Sequence, residues 1–207
     1  MYPDQNPNQN QNQYSIDYLN QIAPQPQKSG VKDKFFFFII GGGLVIAAIV
    51  LLFIFTSSSN GPTQKMQTLS ARMTTLQKIS GDTQKNLKSG DLRSTNSNLT
   101  IFLTNANRDI VEPLSSNNVD VKKIDQKITK AEDGAALTQK LEDARLNAVL
   151  DRTYAREMTY QLQTIAALMQ QIYDSTNSKK LKTFLEKTDA DLQPLIKQFS
   201  DFSGAEG

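Results

Sequence analysis

Asp151 is the one charge in a long file of apolar residues, and two adjacent acidic pairs, Glu132-Asp133 and Glu142-Asp143, lie just before it. Carboxylates that converge on one point can act as general acid and base or hold a cation. Adjacent residues on a helix point in different directions, so neither pair is such a device by spacing alone. Asp151 has two readings, a buried register-setting charge or a carboxylate at the edge of the file beside Arg145, Arg152 or Arg156. The rarity of buried carboxylates favours the second. The chain has no His and no Cys, which removes the usual zinc sites and every catalytic device that needs imidazole or thiolate. A carboxylate di-metal bundle built on Glu-x-x-His fails for the same reason. No phosphate loop, nucleophile elbow or kinase signature is present. No catalytic residue, cofactor site or metal site is expected, and the chain is read as a non-enzyme.

The elements that would position these side chains are helices. Met66, Leu69, Met73, Leu76 and Ile79 step by three or four from Pro62, a residue suited to a first helical turn. Gly90 reads as the C-terminal cap of this helix. Asp91 then reads as the N-cap of the next, which carries Leu92, Leu99, Leu103, Ala106 and Ile110 and ends at Pro113 and the Ser-Ser-Asn-Asn that follows. A short helix holds Val121, Ile124, Ile128 and Ala131 and breaks at Asp133-Gly134. The longest signal follows. Leu137, Leu141, Ala144, Ala148, Asp151, Ala155, Met158, Leu162, Ile165, Met169 and Ile172 form a heptad seam, predicting one helix from about Ala135 to Tyr173, roughly 58 Å long. Asp174-Ser175-Thr176-Asn177-Ser178 makes a turn. Leu181, Leu185, Leu192, Leu195 and Phe199 mark a last helix to about Phe202, bent by Pro194. No long stretch alternates with period two, so no sheet is expected. The fold class is therefore all-α, with an elongated antiparallel bundle of about four main helices and one short helix over residues 62–203. The bundle-seam candidates for contact are Leu137, Leu141, Met158, Leu162, Ile165, Met169 and Ile172.

Ahead of this domain, residues 35–55 are uncharged for 21 positions, 16 of them Phe, Ile, Leu or Val and the rest Gly or Ala. A helix of that length reaches about 32 Å and matches the hydrocarbon core of a bilayer. The apolar part of a cleavable signal is shorter, so an uncleaved transmembrane signal-anchor is expected. Lys28, Lys32 and Lys34 flank it on the N-terminal side, and no Lys or Arg follows until Lys65. The positive-inside rule places the N-terminus in the cytoplasm and the bundle beyond the membrane. Gly43, Ala47 and Leu51 share one face of the span and are its candidates for helix packing. Residues 56–61 form a hinge.

Residues 1–34 are Asn/Gln/Pro-rich, a composition that buries too little apolar surface to order itself. The last four residues, 204–207, also read as disordered. Within the tail, positions 14–23 differ. Tyr14, Ile16, Tyr18, Leu19 and Ile22 make a small apolar cluster at partly helical spacing, suited to docking in the groove of a cytoplasmic partner or to resting at the membrane interface. This tail, with its "YLNQIAP" element and the Lys-flanked, glycine-containing span after it, resembles uncharacterised single-pass membrane proteins of small-genome candidate-phylum bacteria over residues 14–55. The resemblance implies a shared cytoplasmic or membrane-targeting role for the tail and no activity.

Net charge is +2, with no basic stripe interleaved with aromatics, so no nucleic-acid partner is expected. The expected function is that of a non-enzymatic interaction or scaffold protein of the cell membrane. It would be single-pass, with its extracytoplasmic bundle binding an unidentified envelope protein or a second copy of itself. Its partners would be the lipid bilayer, that protein, and a cytoplasmic one at the tail motif. Alternatives are a single-span sensor with a ligand-reading helical ectodomain, and a pilin-like fibre subunit. The pilin reading is weakened by the lack of an acidic residue early in the span.

Overall fold

The structure is a computed structural model that describes residues 61–202, within one compact unit, Phe55–Gly207. All regular structure among the described residues is helical: α1 (Pro62–Thr83), α2 (Gly90–Asp109), α3 (Val111–Ser115), α4 (Gln126–Ala131), α5 (Ala135–Leu146), α6 (Leu150–Ser175) and α7 (Lys179–Ser200), with a 3-10 turn at Gln84–Asn86. The all-α expectation for the domain holds. The expected span at 35–55 and the tail motif lie outside the described residues. Among those described, no helix is long and apolar enough to cross a membrane.

Four helices of 20 to 26 residues form a ring. α1 packs beside α2 and α6, and α7 beside α2 and α6. Neighbours run antiparallel. Along α1 and α2 the hydrogen-bonded partners step in opposite directions: Asn107 to Gln77 (2.7 Å), Gln77 to Thr104 (2.9 Å), Ser80 with Thr100 (2.9 Å) and Gln84 to Ser97 (3.0 Å). The hairpin of α6 and α7 turns at Thr176–Ser178, where Ser178 Oγ caps α7 by accepting the Leu181 N–H at 3.3 Å. Each ring helix turns its periodic apolar file inward. Leu69, Met73, Leu99, Leu103, Met158, Leu162, Ile165, Ile172, Leu181 and Leu192 are fully buried. At roughly 25 cal/mol per Å² of apolar surface, this file supplies most of the favourable folding free energy.

α2 and α6 occupy opposite corners of the ring, so the chain must cross the molecule between them. Residues 110–149 make that crossing. The segment starts at the end where Lys180 of α7 meets Glu112 (2.6 Å). It finishes at the other end, where Asp151 meets the start of α2. On the way α4 lies against α1, and α5 lies against α6.

Four local expectations are corrected. Gly90 does not end α1. The chain leaves the helix earlier, so that Leu87 can turn extended and bury in the core. Ser89, not Asp91, caps α2, its Oγ accepting the Leu92 N–H; Asp91 sits in the first turn, where its charge suits the helix dipole. Pro113 lies inside the short α3, in a first turn that needs no N–H from it. Val121 and Ile124 precede α4 rather than belonging to it.

The largest correction concerns the long helix. The expected rod from Ala135 to Tyr173 is broken at Asn147–Val149. Ala148 takes φ +58°. Its N–H bonds the Arg145 carbonyl (3.2 Å), and the Val149 N–H bonds the Ala144 carbonyl (2.9 Å), the paired bonds of a Schellman ending. The chain then reverses, and α5 runs back along α6, with Lys140 paired to Glu157 at 2.7 Å. Folding back buries Leu141 and Ala144 in the core, which a straight rod would leave in water.

Candidate functional site

Of the seam candidates, Leu141, Met158, Leu162, Ile165, Met169 and Ile172 are buried in the core, and Leu137 is partly buried against it. The heptad faces are thus closed within the chain. Gly43, Ala47, Leu51, Tyr14, Ile16, Tyr18, Leu19 and Ile22 lie outside the described residues.

Asp151 pairs with no arginine. Its carboxylate accepts the backbone N–H of Ser89 at 2.6 Å and of Lys88 at 3.1 Å. These groups sit where α1 has ended and α2 has barely begun, so a backbone that would otherwise lack partners is satisfied from α6. The side chain is a tie between the two hairpins. Of the acidic pairs, Glu132 is a tie between elements as well. Glu132 takes a two-pronged bond from Arg72, Nε at 2.8 Å and Nη2 at 2.7 Å, while Thr75 Oγ1 donates to its carbonyl at 2.5 Å. Asp133, just before the Gly134 cap, accepts the Ala135 N–H at the start of α5 at 2.9 Å. Glu142 pairs with Arg145, which holds its carboxyl below the usual range through their hydrogen bond. Among the described residues, no three His, Cys, Asp or Glu side chains gather as a metal site.

One polar network is centred on two fully buried side chains, Asn96 and Tyr154. Asn96, the seventh residue of α2, donates to the Ser80 carbonyl (2.9 Å) and to Gln84 Oε1 (2.5 Å), and its Oδ1 accepts from the Tyr154 hydroxyl. The Tyr154 ring meets Phe199 edge-on, centroids 6.0 Å apart. Burial pushes the Tyr154 hydroxyl pKa up strongly, so it stays a neutral donor across the working range. With its oxygen already engaged and its side chain fully buried, this tyrosine fixes the register of α1, α2, α6 and α7. Sequence reasoning missed it, although an Asn at a heptad position of α2, two steps before Leu103, was a visible anomaly.

A groove of about 370 Å³ lies between α2 and α7. Its wall includes Ile101, 61% exposed, with Phe102, Phe184 and Pro194, and the Lys187–Asp191 pair (3.0 Å) lies on its rim. The arrangement offers apolar contact edged by charge. The legible signal was Ile101-Phe102, an apolar pair out of phase with Leu99 and Leu103. Comparison with protein-family models, with curated proteins and with solved structures gave no match.

Proposed function

We propose that this chain is a membrane-anchored, non-enzymatic interaction protein. Residues 35–55 form a single span, the N-terminal tail lies in the cytoplasm, and the bundle stands outside, where it takes an envelope partner or a second copy. The observation that carries the reading is the joint one of an uncharged 21-residue run and a helical unit with its own closed core, which begins at α1 after six intervening residues. A run of that length favours a bilayer, and the closed core gives the anchored part an independent fold. Since the heptad seam is used within the bundle, contact with a partner that leaves the bundle closed falls to its outer faces.

The absence of Cys makes the reading directly testable by labelling. Single variants Ser15→Cys and Asn177→Cys, the latter exposed in the turn before the α7 cap, are treated in intact cells with a membrane-impermeant maleimide. The expected result is labelling at position 177 alone, with position 15 reacting only after permeabilisation. Labelling at 15 alone inverts the topology, and equal labelling of both only after lysis removes the extracytoplasmic assignment.

A further inference from the structure

The sequence around the break in the expected rod is that of an uninterrupted helix. The heptad file passes through Ala144, Ala148, Asp151 and Ala155 without losing phase, and no Gly or Pro lies between Ala135 and Ser175. Yet the chain turns back there. The residue that must take the left-handed conformation is Ala148, at φ +58°. The other two positive-φ positions among the described residues are Asn118 and Gly134, residue types that tolerate it. An alanine disfavours that conformation relative to glycine by roughly tenfold in population. The turn is also poorly covered. Leu146 is 68% exposed and Val149 37%. Of the twelve residues of α5 only Leu141 and Ala144 are buried, and its side-chain tie to α6 is the Lys140–Glu157 ion pair.

We infer that this turn is a hinge for exchange between two copies of the chain. In the exchanged form residues 147–149 become helical, α5 and α6 join into one helix roughly 60 Å long, and the α6–α7 hairpin of each copy docks on α1, α2 and α5 of the other. Every contact of the closed molecule is remade across the two-fold axis: the Asp151 bonds to Lys88 and Ser89, the Tyr154 bond to Asn96, and the Lys140–Glu157 pair. The left-handed alanine disappears, and the exposed Leu146 and Val149 of the two hinges are brought to the axis together. The occupant of the vacated site is fixed, because the site is already seen filled by the same residues of one chain. Exchange of an identical element in this way is a low-cost route to a dimer, because the closed contacts are remade and the strain of the hinge is relieved. The inference does not depend on the membrane reading, since it concerns residues of the bundle alone.

The test uses a fragment of residues 56–207, whose core closes on itself, refolded from denaturant at low and at high concentration. Lys140→Cys and Glu157→Cys together are bridged with a short bismaleimide. A concentration-dependent dimer is expected, cross-linked between chains, while the monomer fraction is linked within its own chain. Ala148→Gly should raise the dimer dissociation constant at least tenfold by relaxing the turn. Asn147→Ala with Val149→Ala, which favours helix at the hinge, should lower it. Links confined within each chain of the dimer, or a double variant that stays monomeric at hundreds of micromolar, overturn the inference. Failure of the labelling experiment on the full chain would leave this result untouched, so the two readings fall separately.

Discussion

The ring helices bury an apolar side chain at nearly every third or fourth position, whereas the crossover from 110 to 149, as long as two ring helices, buries only Ile110, Leu114, Val119, Ile128, Leu141 and Ala144 among its hydrophobic residues. What the crossover lacks in area it replaces with particular bonds. Arg72 grips Glu132 with two prongs, Thr75 donates to the carbonyl of the same residue, and Lys140 reaches Glu157. Its path is set by Asn118, Gly134 and Ala148 in left-handed conformation. The ring is thus held by area, which tolerates small errors anywhere, and the crossover by a few bonds, each of which matters at one place. Opening free energy follows buried contact, so the crossover is the part expected to open first.

The largest effect that would sharpen this contrast is a truncation inside the ring. Leu162 is fully buried, and Leu162→Ala should destabilise the fragment by about 2–5 kcal/mol. Leu137, only partly buried on α5, should lose under about 1 kcal/mol on the same change, from the smaller area it removes from water. Urea denaturation of both variants reads the difference directly; equal losses would show that ring and crossover are one cooperative core. Next in size is Tyr154→Phe. The phenyl ring keeps its edge contact with Phe199, but Asn96 Oδ1 loses its donor inside the core. A loss of about 1–3 kcal/mol is expected. If instead Tyr154→Phe melts with the parent, the network is not what fixes the ring.

The periodic part of this fold is legible in the residue order, and for a physical reason. Where burial sets the structure, as in α1, α2, α6 and α7, it leaves its period in the residue types, so Leu92 to Ile110 and Leu181 to Phe199 read correctly. The same signal misled at Ala148. A heptad file reports which residues want burial and not whether the chain bends between them, and α5 satisfies it by folding back. Start and stop signals were ambiguous wherever two acceptable caps were neighbours. Ser89 and Asp91 are both good N-caps, and the choice was made by Leu87, whose burial ends α1 early, and by Asp151, which is distant in sequence. Hydrogen bonds between such distant residues leave no periodic trace. That is also why the Asn96–Tyr154 network was missed and Asp151 was assigned the wrong partner.

Within the crossover a smaller and more localised effect is expected at Gly134. It sits at φ +71°, and a Cβ there would come within 2.6 Å of Thr75 Cγ2 and 2.7 Å of Ile79 Cδ1. Thr75 has little room to turn away while its hydroxyl holds the Glu132 carbonyl. Gly134→Ala should therefore destabilise by about 1–2 kcal/mol. Its signature is positional. Amide exchange should quicken from residues 126 to 146 while α2 and α7 keep their protection, and a uniform loss across the ring would break the distinction drawn between the two regions.

The smallest effect is that of acid, and its sign follows from the exposed pairs. The carboxyls of Glu112, beside Lys180, Asp109, beside Arg108, and Asp201, beside Lys197, are held below their ordinary values of 4.5 and 3.8 chiefly by side-chain hydrogen bonds. A carboxylate with a depressed pKa in the folded state lends stability that is complete above its unfolded pKa and is lost as pH falls through the folded one. Stability should accordingly be flat from pH 7 to about 5 and decline gently below that. All three groups are fully exposed, so salt should screen most of the decline. They are not equivalent, however. Arg108–Asp109 and Lys197–Asp201 are neighbours along one stretch of chain, whereas Lys180–Glu112 joins the first turn of the crossover to α7 at 2.6 Å. Glu112→Gln should remove more of the acid slope than Asp201→Asn, as read by thermal melts between pH 3 and 7 at low salt. A larger loss of slope in Asp201→Asn would mean that acid acts on the ends of single helices and not on the fastening between crossover and ring.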